Sequence, residues 1–394
     1  MQVKRHYHFL FIAGFLLFSC NKTKQGDLLI IPVDIVNNTV LPLPLSEIAE
    51  SITAIELELT DESLINPGRI QRIILSDDLV FIAHSENILV FNRNGKFIRS
   101  IGSKGQGPGE YISLWNMTID ETNRRLFVNA REKIICYDWQ GKVLMESSFS
   151  QFNGTNTIED INYIHNELLL INLSRGKEDE IGIFDHIAVY RLNDNLQTID
   201  SCTILKFYAS AIHGFSSSAN YILLSDSTVY LHYPFSTAFP PDMASVVRER
   251  EPKLALRDTL YRFENNQLIP ELRLKFKKDG MDSEGYMFIR LSSVYRSSRY
   301  IFALYLNYNE SLNDFGNYNY HNFCYDTKTG KGYNMLRDRE AGISAYTDDI
   351  HHIEHVYIRP FQTNTEMFYY WHTHMNQDDR EEPNPTLYIG TLKK

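Results

Sequence analysis

The sequence predicts an all-β fold, a six-bladed β-propeller built from four-stranded antiparallel blades. One hairpin pattern recurs along the chain: an apolar residue, an aromatic residue, a polar residue and then a turn of Gly, Asn or Asp. Its copies lie roughly 45 to 70 residues apart, which suits a four-stranded blade with variable loops. The segments between them are rich in β-branched and aromatic residues and lack a 3.6-residue period, which is typical of buried strands.

The clearest copy of the pattern surrounds Asn94-Gly95, which two alternating apolar runs flank. Residues that tolerate positive φ between two such runs are the strongest short-range signal for a hairpin. The other copies are Cys136–Gly141, Val189–Asn195, Leu260–Asn266, Cys324–Gly330 and, more weakly, Leu387–Gly390.

The two ends of the chain indicate how the ring closes. After Tyr388 too few residues remain for a further outer strand. Near the N-terminus, Ile52–Leu59 alternates apolar and acidic residues with the period of a half-exposed strand. We therefore predict that this N-terminal strand completes the last blade and removes an exposed sheet edge.

Residues 1–19 are predicted to be a lipoprotein signal peptide. They begin with basic residues and continue into an apolar stretch that is too short to span a bilayer comfortably. Leu17-Phe18-Ser19-Cys20 resembles a bacterial lipobox, which predicts lipidation of Cys20 and places the protein on a membrane through a lipid anchor. The alternative is an ordinary signal peptide with an incidental cysteine.

The predicted domain organisation follows from these segments. Residues 20–40 form a tether, and residues 41–394 form the propeller with an insertion at about 237–257. In that insertion Pro240 and Pro241 break any strand and Asp242 could cap a short helix. No linker rich in Pro, Ser or Gly divides the chain, so one large domain is expected.

Composition excludes one class of partner. The 394 residues include 39 Lys and Arg against 49 Asp and Glu, for a formal net charge of -10, and no basic cluster stands out. A nucleic-acid partner is therefore not expected. Three cysteines remain beyond Cys20, an odd number without a full disulfide framework. Cys136 and Cys324 occupy the same hairpin position, and we expect them to be buried as small apolar residues.

Several motifs together resemble the six-bladed β-propeller lipoproteins of Bacteroidetes, a family related in shape to NHL propellers. These motifs are Gly102–Tyr111, Leu45–Ile52, Pro234–Ser236 with a delayed Asp258–Tyr261, and Asn384–Tyr388. The resemblance covers nearly the whole mature chain. It implies the fold and a location in the cell envelope at the outer membrane, and it implies little chemistry.

Two motifs carry a chemical alternative. His351, Glu354 and His355 satisfy H-x-x-E-H, an inverted zinc-protease pattern that requires a helix, whereas the flanking sequence has strand and loop character. A metal site at His351 and His355 is therefore only a weak alternative to a solvated loop. The glycines of Gly102–Tyr111 lack the Gly-Lys-Ser/Thr and the following helix of a phosphate loop. We expect no cofactor.

The remaining candidates lie in the loops that lead from one blade to the next, which gather at one face around the channel mouth. These loops are Ser103–Asn116, Phe149–Asn162, Lys206–Asn220, Lys277–Arg296 and Arg337–Pro360. Aromatic side chains with interspersed polar groups suit a sugar or a peptide, although they could equally plug the channel. The candidate ligand-binding residues are Tyr111, Trp115, Tyr208, His213, Phe215, Tyr286, Tyr295, Tyr346 and His351.

Two function classes follow. The first is a non-enzymatic envelope lipoprotein that binds a glycan, a peptide or a partner protein through this loop face. The alternative is a propeller hydrolase or lyase that uses histidine and carboxylate residues at the channel mouth. The first is favoured because no nucleophile, metal set or acid pair can be defended on its spacing.

Overall fold

The computed structural model describes residues 28–34, 42–84, 87–130, 133–148, 155–208, 212–215, 221–238, 258–277, 289–308, 318–336, 346–373 and 383–394. These residues form thirty strands, the four-residue helix α1 (Leu45–Ile48) and a 3₁₀ turn (Pro67–Arg69). The predicted all-β class is confirmed, and the sheets have a propeller arrangement.

The N-terminal part of the chain supplies strands to sheets whose other strands lie much later in the sequence. These strands are β1 (Leu29–Asp34), β2 (Leu43–Pro44) and β3 (Ala49–Glu56). They join sheets 4, 6 and 7 respectively, when the sheets are numbered in chain order.

Sheets 1 to 3 are antiparallel, four-stranded and ordered as in the chain. Sheet 1 consists of β4 (Ile70–Leu75), β5 (Leu79–His84), β6 (Asn87–Asn92) and β7 (Phe97–Ile101). Sheet 2 consists of β8 (Asn116–Asp120), β9 (Arg125–Asn129), β10 (Lys133–Asp138) and β11 (Val143–Ser148). Sheet 3 consists of β12 (Thr155–Ile164), β13 (Glu167–Glu178), β14 (Ile183–Leu192) and β15 (Thr198–Tyr208).

Sheets 4 and 5 continue the series, with a small ribbon beside them. The ribbon pairs β16 (Ile212–Phe215) with β19 (Phe235–Ala238). Sheet 4 contains β17 (Ile222–Ser225), β18 (Thr228–Leu231), β20 (Thr259–Glu264), β21 (Gln267–Lys277) and, in parallel beside β21, strand β1. Sheet 5 consists of β22 (Ile289–Arg296), β23 (Tyr300–Tyr308), β24 (Tyr318–Asp326) and β25 (Lys331–Leu336).

The last two sheets combine both ends of the chain. Sheet 6 has three strands, β2 with β26 (Tyr346–Asp348) and β27 (Ile353–Val356). Sheet 7 has four, in the order β28 (Arg359–Phe361), β29 (Asn364–His372), β30 (Thr386–Leu392) and β3. The pairing of β3 with β30 is antiparallel and runs from Ala49 opposite Leu392 to Glu56 opposite Thr386.

The predicted count of six is corrected to seven, which is the number of sheets with three or more strands among the described residues. Six of them have four or more strands, and sheet 6 is the addition. The sequence predicts a loop over Arg337–Pro360, but residues 346–356 form a hairpin there. Leu43 pairs with Tyr346 and supplies the third strand, because both side chains are buried in the same core cluster.

Five predicted hairpins are confirmed, as the connections β6–β7, β10–β11, β14–β15, β20–β21 and β24–β25 of sheets 1 to 5. They are the hairpins at Asn94-Gly95, Cys136–Gly141, Val189–Asn195, Leu260–Asn266 and Cys324–Gly330. The first three share one device. The side-chain oxygen of Asn92 accepts hydrogen bonds from the N–H groups of Asn94 (2.9 Å) and Lys96 (3.0 Å), and Asp138 and Asn193 do the same in sheets 2 and 3. Such turns depend on local sequence alone, so the pattern predicts them.

The weaker copy at Leu387–Gly390 is not a hairpin. It lies inside β30, where Gly390 faces Phe368 of β29 and Ile52 of β3. A Cβ atom on Gly390 would lie 2.1 Å from the ring of Phe368, so the glycine is needed for the close approach of that ring.

Neighbouring sheets pack face to face through apolar side chains. Leu173 and Ile187 of sheet 3, for example, share one cluster with Ile222 and Leu231 of sheet 4. Cys136 and Cys324 are fully buried, as predicted, and the three described cysteines are free thiols. Within the part of the chain that the structure describes, no helix is long and apolar enough to cross a membrane.

The predicted insertion at 237–257 falls mostly outside the described residues. Its first two residues belong to β19, which pairs with β16 in the connection between sheets 3 and 4.

We predict that Gly390→Ala destabilises the protein by about 1–3 kcal/mol, because the added methyl group forces the Phe368 ring out of its site. Thermal unfolding followed by circular dichroism would measure the change. Gly332→Ala is the matched control, since a Cβ atom there meets the nearest atom at an ordinary 3.4 Å. Equal melting temperatures for the two variants would contradict the prediction.

Candidate functional site

The first strands of several sheets converge on a buried carboxylate. Asp160 of β12 is fully buried, and its partner Arg72 of β4 places Nη2 2.9 Å from Asp160 Oδ1. Gln362, which follows β28, donates its amide to both Asp160 oxygens at 3.1 and 2.9 Å. Arg72 also donates to the side-chain oxygen of Gln362, which closes a three-residue network.

Backbone groups complete the coordination of this carboxylate. The N–H groups of Tyr221 and Ile222, at the start of sheet 4, donate to Asp160 Oδ2 at 2.9 and 3.0 Å. Arg72 Nη1 donates to the carbonyl of Met117 in sheet 2 at 3.1 Å. A buried charge needs such partners on every side. The network therefore ties together sheets 1, 2, 3, 4 and 7 where their first strands meet.

A second layer of amides lies beside the network. Asn162 donates to the carbonyls of Ile222 (3.3 Å) and Gln362 (3.4 Å), and its oxygen accepts from the Thr118 hydroxyl (3.1 Å). These contacts fill the space between the first strands of sheets 2, 3, 4 and 7 with hydrogen-bonded side chains.

A cavity of about 230 Å³ opens at the end where these first strands finish. Leu75 ends β4, Asp120 ends β8, and Tyr163 lies one residue before the end of β12. The lining residues are Leu75, Ile119, Asp120, Glu121, Thr122, Tyr163, His165, Asn166 and Thr363.

One wall of the cavity is a fixed network of charges. Arg125 donates to Asp120 (2.6 Å), to Asp194 (2.6 Å) and to the Tyr163 hydroxyl (3.0 Å). The Tyr163 ring stacks on Phe127 with ring centroids 5.2 Å apart. These contacts hold each side chain in one orientation.

The same contacts fix the protonation states. Burial alone would raise the pKa of Asp120, but hydrogen bonds from Asn123 and Arg125 outweigh burial and lower that pKa. Burial raises the pKa of Tyr163 to about 12, and the charge of Asp120 adds to the effect. At neutral pH Asp120 is therefore charged and Tyr163 is neutral.

Three of the aromatic candidates from the sequence are buried in the core. Tyr111 is 1% exposed, Tyr346 is 2% exposed, and Tyr295 stacks on Phe302 with centroids 4.7 Å apart. Their rings pack against other core residues and offer no face to a ligand. The sequence places them in loops, but Tyr295 and Tyr346 lie in strands β22 and β26.

The other candidates are dispersed. Trp115 is 38% exposed just before β8. Tyr208 ends β15, and His213 and Phe215 belong to β16, which places their backbones near one another in the connection between sheets 3 and 4. Tyr286 and the predicted lipidation site Cys20 lie outside the described residues. These connections reach the first strands at their starts, which is the end of the propeller opposite the cavity.

His351 is held by a buried acid. Its Nδ1 lies 2.7 Å from Oδ2 of the fully buried Asp348, which also accepts from the Tyr370 hydroxyl. Burial alone would raise the pKa of Asp348, but hydrogen bonds from Tyr370 and His351 lower it. The imidazole of His351 is thus oriented by a carboxylate and stacks edge-on against Tyr388.

The zinc-protease motif does not form its helix. His351 lies in a turn, whereas Glu354 and His355 lie in β27. The side chain of His355 is half exposed, and its Nε2 lies 3.7 Å from Glu354 Oε2. In the described parts of the chain, no group of three or more His, Cys, Asp or Glu residues is arranged to hold a metal ion.

Comparison with known proteins gives the chain a family. The family described as "Domain of unknown function (DUF4934)" matches residues 28–388. The chain belongs to the DUF4934 family. Among curated proteins, none matches the sequence.

One solved structure shares the fold of the chain, and two others are less similar. A Bacteroides fragilis protein named "Putative exported protein" superposes on the DUF4934 chain with a TM-score of 0.60 at 16% identity, covering 93% of this chain and 100% of that one. The WD40 domain of Neurospora crassa Pan2 has a TM-score of 0.39 at 11% identity, and the superposition covers 82% of this chain and 76% of that one. A Bacteroides caccae protein of unknown function has a TM-score of 0.37 at 8% identity, and the superposition covers 81% of this chain and 94% of that one.

These findings support part of the resemblance seen in the sequence. The family and the Bacteroides fragilis structure agree with a Bacteroides propeller of this kind, and they show no NHL-like family.

The buried network of the DUF4934 chain generates a stability prediction. Arg72→Met should cost about 3–5 kcal/mol, because it leaves the Asp160 carboxylate buried without its cation. Urea unfolding followed by tryptophan fluorescence would measure the loss.

The control is an ion pair at the surface, in which Arg124 Nη2 lies 3.8 Å from Asp78 Oδ2. The two side chains are 63% and 55% exposed. Arg124→Met should cost less than about 1 kcal/mol. If the two variants lose the same free energy of unfolding, the central role of the network is refuted.

Proposed function

We propose that this protein is an envelope lipoprotein, anchored at the outer membrane through Cys20, that binds a small polar ligand without transforming it. The similar Bacteroides fragilis structure, which is named "Putative exported protein", and the lipobox-like Leu17–Cys20 support the location. Closure of the ring by the N-terminal strand is part of the proposal, and the pairing of β3 with β30 supports it.

The observation that carries the binding proposal is the cavity at the finishing end of the first strands. Thr363 of its lining follows Gln362 of the buried network, and Asp120 and Tyr163 in its wall are held in place by hydrogen bonds from Arg125. A preorganised polar wall lowers the entropic cost of binding. The pKa values of Asp120 and Tyr163 both lie far from neutral pH, so neither group changes its protonation state there. These two groups therefore suit recognition better than proton transfer.

The lining also indicates the chemistry of the ligand. Glu121 contributes an exposed carboxylate, and Thr122, Asn166 and Thr363 contribute hydroxyl and amide groups. The carboxylate of Asp120 is only 2% exposed and is bound to Arg125, so Glu121 is the acid of the lining that a donor-rich ligand can reach. At about 230 Å³ the cavity is smaller than the usual drug-sized pocket, which suits one sugar ring. An amino sugar combines that size with a positive charge, and it falls within the glycan class that the sequence predicts.

Trp115 and His351 lie outside the cavity and are proposed as contacts for a larger partner. Both are accessible, so a peptide or a partner protein could contact them.

The alternative function, a hydrolase or lyase, has one supporting contact. A carboxylate bound to Nδ1, as Asp348 binds His351, leaves Nε2 available as a general base. Tyr370 shares the same carboxylate and is deeply buried. Loss of a hydrolytic activity in His351→Gln with retained folding would favour this alternative.

The anchor proposal predicts that Cys20→Ala moves the protein from the membrane pellet to the soluble envelope fraction, since the acyl chains are lost. Immunoblotting of fractionated cells would measure the distribution. Cys202→Ala is the matched control and should leave the protein in the membrane. Membrane retention of Cys20→Ala would contradict lipidation at this position.

The cavity proposal predicts saturable binding of glucosamine and much weaker binding of glucuronate, since the exposed carboxylate of Glu121 attracts an ammonium group and repels a carboxylate. Isothermal titration calorimetry would measure both. Asn166→Gly should weaken glucosamine binding about five- to tenfold by removing one hydrogen-bonding side chain. Glycine is chosen because Asn166 has φ +62°.

The control is Asn265→Gly, which changes a turn residue of similar conformation (φ +50°) in sheet 4, away from the cavity. Its affinity for glucosamine should equal that of the natural protein. Equal binding of the amine and the uronic acid, or no binding of either, would rule out this ligand class.

A further inference from the structure

The outer edge of sheet 4 carries a strand from the N-terminus. Strand β1 runs parallel to β21, with Leu29 beside Leu272, Ile31 beside Leu274 and Val33 beside Phe276. The side chains of Ile31 and Val33 are 1% and 0% exposed, so this strand is packed into the body of the protein. The chain that leads back to Cys20 therefore leaves the propeller at this edge.

The start of β1 exposes apolar side chains. Leu28 is 37% exposed, Leu29 is 40% exposed and Ile30 is 55% exposed. Three consecutive exposed apolar residues at the start of a packed strand are unusual, because the hydration of apolar surface is unfavourable.

Cations lie on the neighbouring strand. In the register of the parallel pair, Ile30 is beside Arg273 and Pro32 is beside Lys275, and both basic residues are exposed. Arg273 is bound to Asp258 at 2.7 Å, and Lys275 has no ion-pair partner among the described residues. Among the described residues of this edge, Lys275 is therefore the cation without an acidic partner, on a chain whose formal net charge is -10.

The position of the predicted anchor adds an independent constraint. Cys20 lies eight residues before Leu28, and a fully extended chain of that length reaches at most about 29 Å. The edge at Leu28–Ile30 must therefore stay close to any membrane that holds Cys20.

We propose that an outer-edge patch, formed by Leu28–Ile30, Arg273 and Lys275, rests on the lipid bilayer that carries the anchor. The apolar side chains enter the boundary between headgroups and acyl chains, and the cations contact anionic headgroups. The propeller would then stand with sheet 4 toward the membrane. This inference rests on the proposed lipidation of Cys20.

The test is lipid photocrosslinking of the full-length lipoprotein in vesicles of phosphatidylethanolamine and phosphatidylglycerol. p-Benzoylphenylalanine replaces Ile30 in one sample and Ile181 in another. Ile181 is 77% exposed in the turn between β13 and β14 of sheet 3, so it is a matched control for exposure. Phospholipid adducts should form at position 30 and not at position 181.

A second variant tests the electrostatic part. Lys275→Gln should lower the adduct at position 30 roughly fivefold, the effect of one cation at an anionic surface, and should do so only in vesicles with phosphatidylglycerol. Lys142→Gln, an exposed lysine of sheet 2, is the control and should leave the yield unchanged.

The outcomes separate the two proposals. If the natural protein does not sediment with vesicles and Cys20→Ala behaves identically, the anchor fails. If the protein sediments but position 30 gives no more lipid adduct than position 181, the outer-edge patch fails alone. Crosslinking of position 30 to a second copy of the chain, in place of lipid, would also overturn the patch.

Discussion

The bond between Asp160 and its donors is the constraint on which the structure depends. An isolated carboxylate in an apolar interior is strongly unfavourable, so the fold is tolerable only when Arg72, Gln362 and the start of sheet 4 all reach it. Those donors come from different sheets. The need to complete one coordination shell therefore fixes the positions of sheets 1, 3, 4 and 7 more sharply than apolar packing between twisted sheets would.

This centre also determines where open space remains among the first strands. The amides around Asn162 fill the space between the first strands, so the accessible volume lies beyond them, where β4, β8 and β12 finish. The charged wall of the cavity is then an extension of the same principle, since Asp120 and Arg125 at the rim are matched as Asp160 and Arg72 are in the interior.

The sequence predicts what depends on local chemistry. Asn92, Asp138 and Asn193 each close a turn with groups two and four residues away, so a short window contains the whole signal. The central network lacks such a signal, because its partners lie far apart in the chain and Arg72 in the β4 segment reads as an ordinary strand residue. Sheet 6 was missed for the same reason, since β26 gains its partner from Leu43. The buried tyrosines illustrate a further limit. An aromatic residue in a connecting segment can equally belong to the core, and only packing distinguishes the two.

The pairing of the two chain ends has a consequence for biogenesis. Lys393 donates to the carbonyl of Ser46, 347 residues earlier, and β3 has its sheet partner in β30. Contacts of such sequence separation form slowly. Sheet 7 cannot assemble until β30 is available, so a chain that is still being synthesised lacks this sheet. The topology thereby makes the completion of the propeller a late event, because β3 waits for a partner that the ribosome supplies near the end of the described chain.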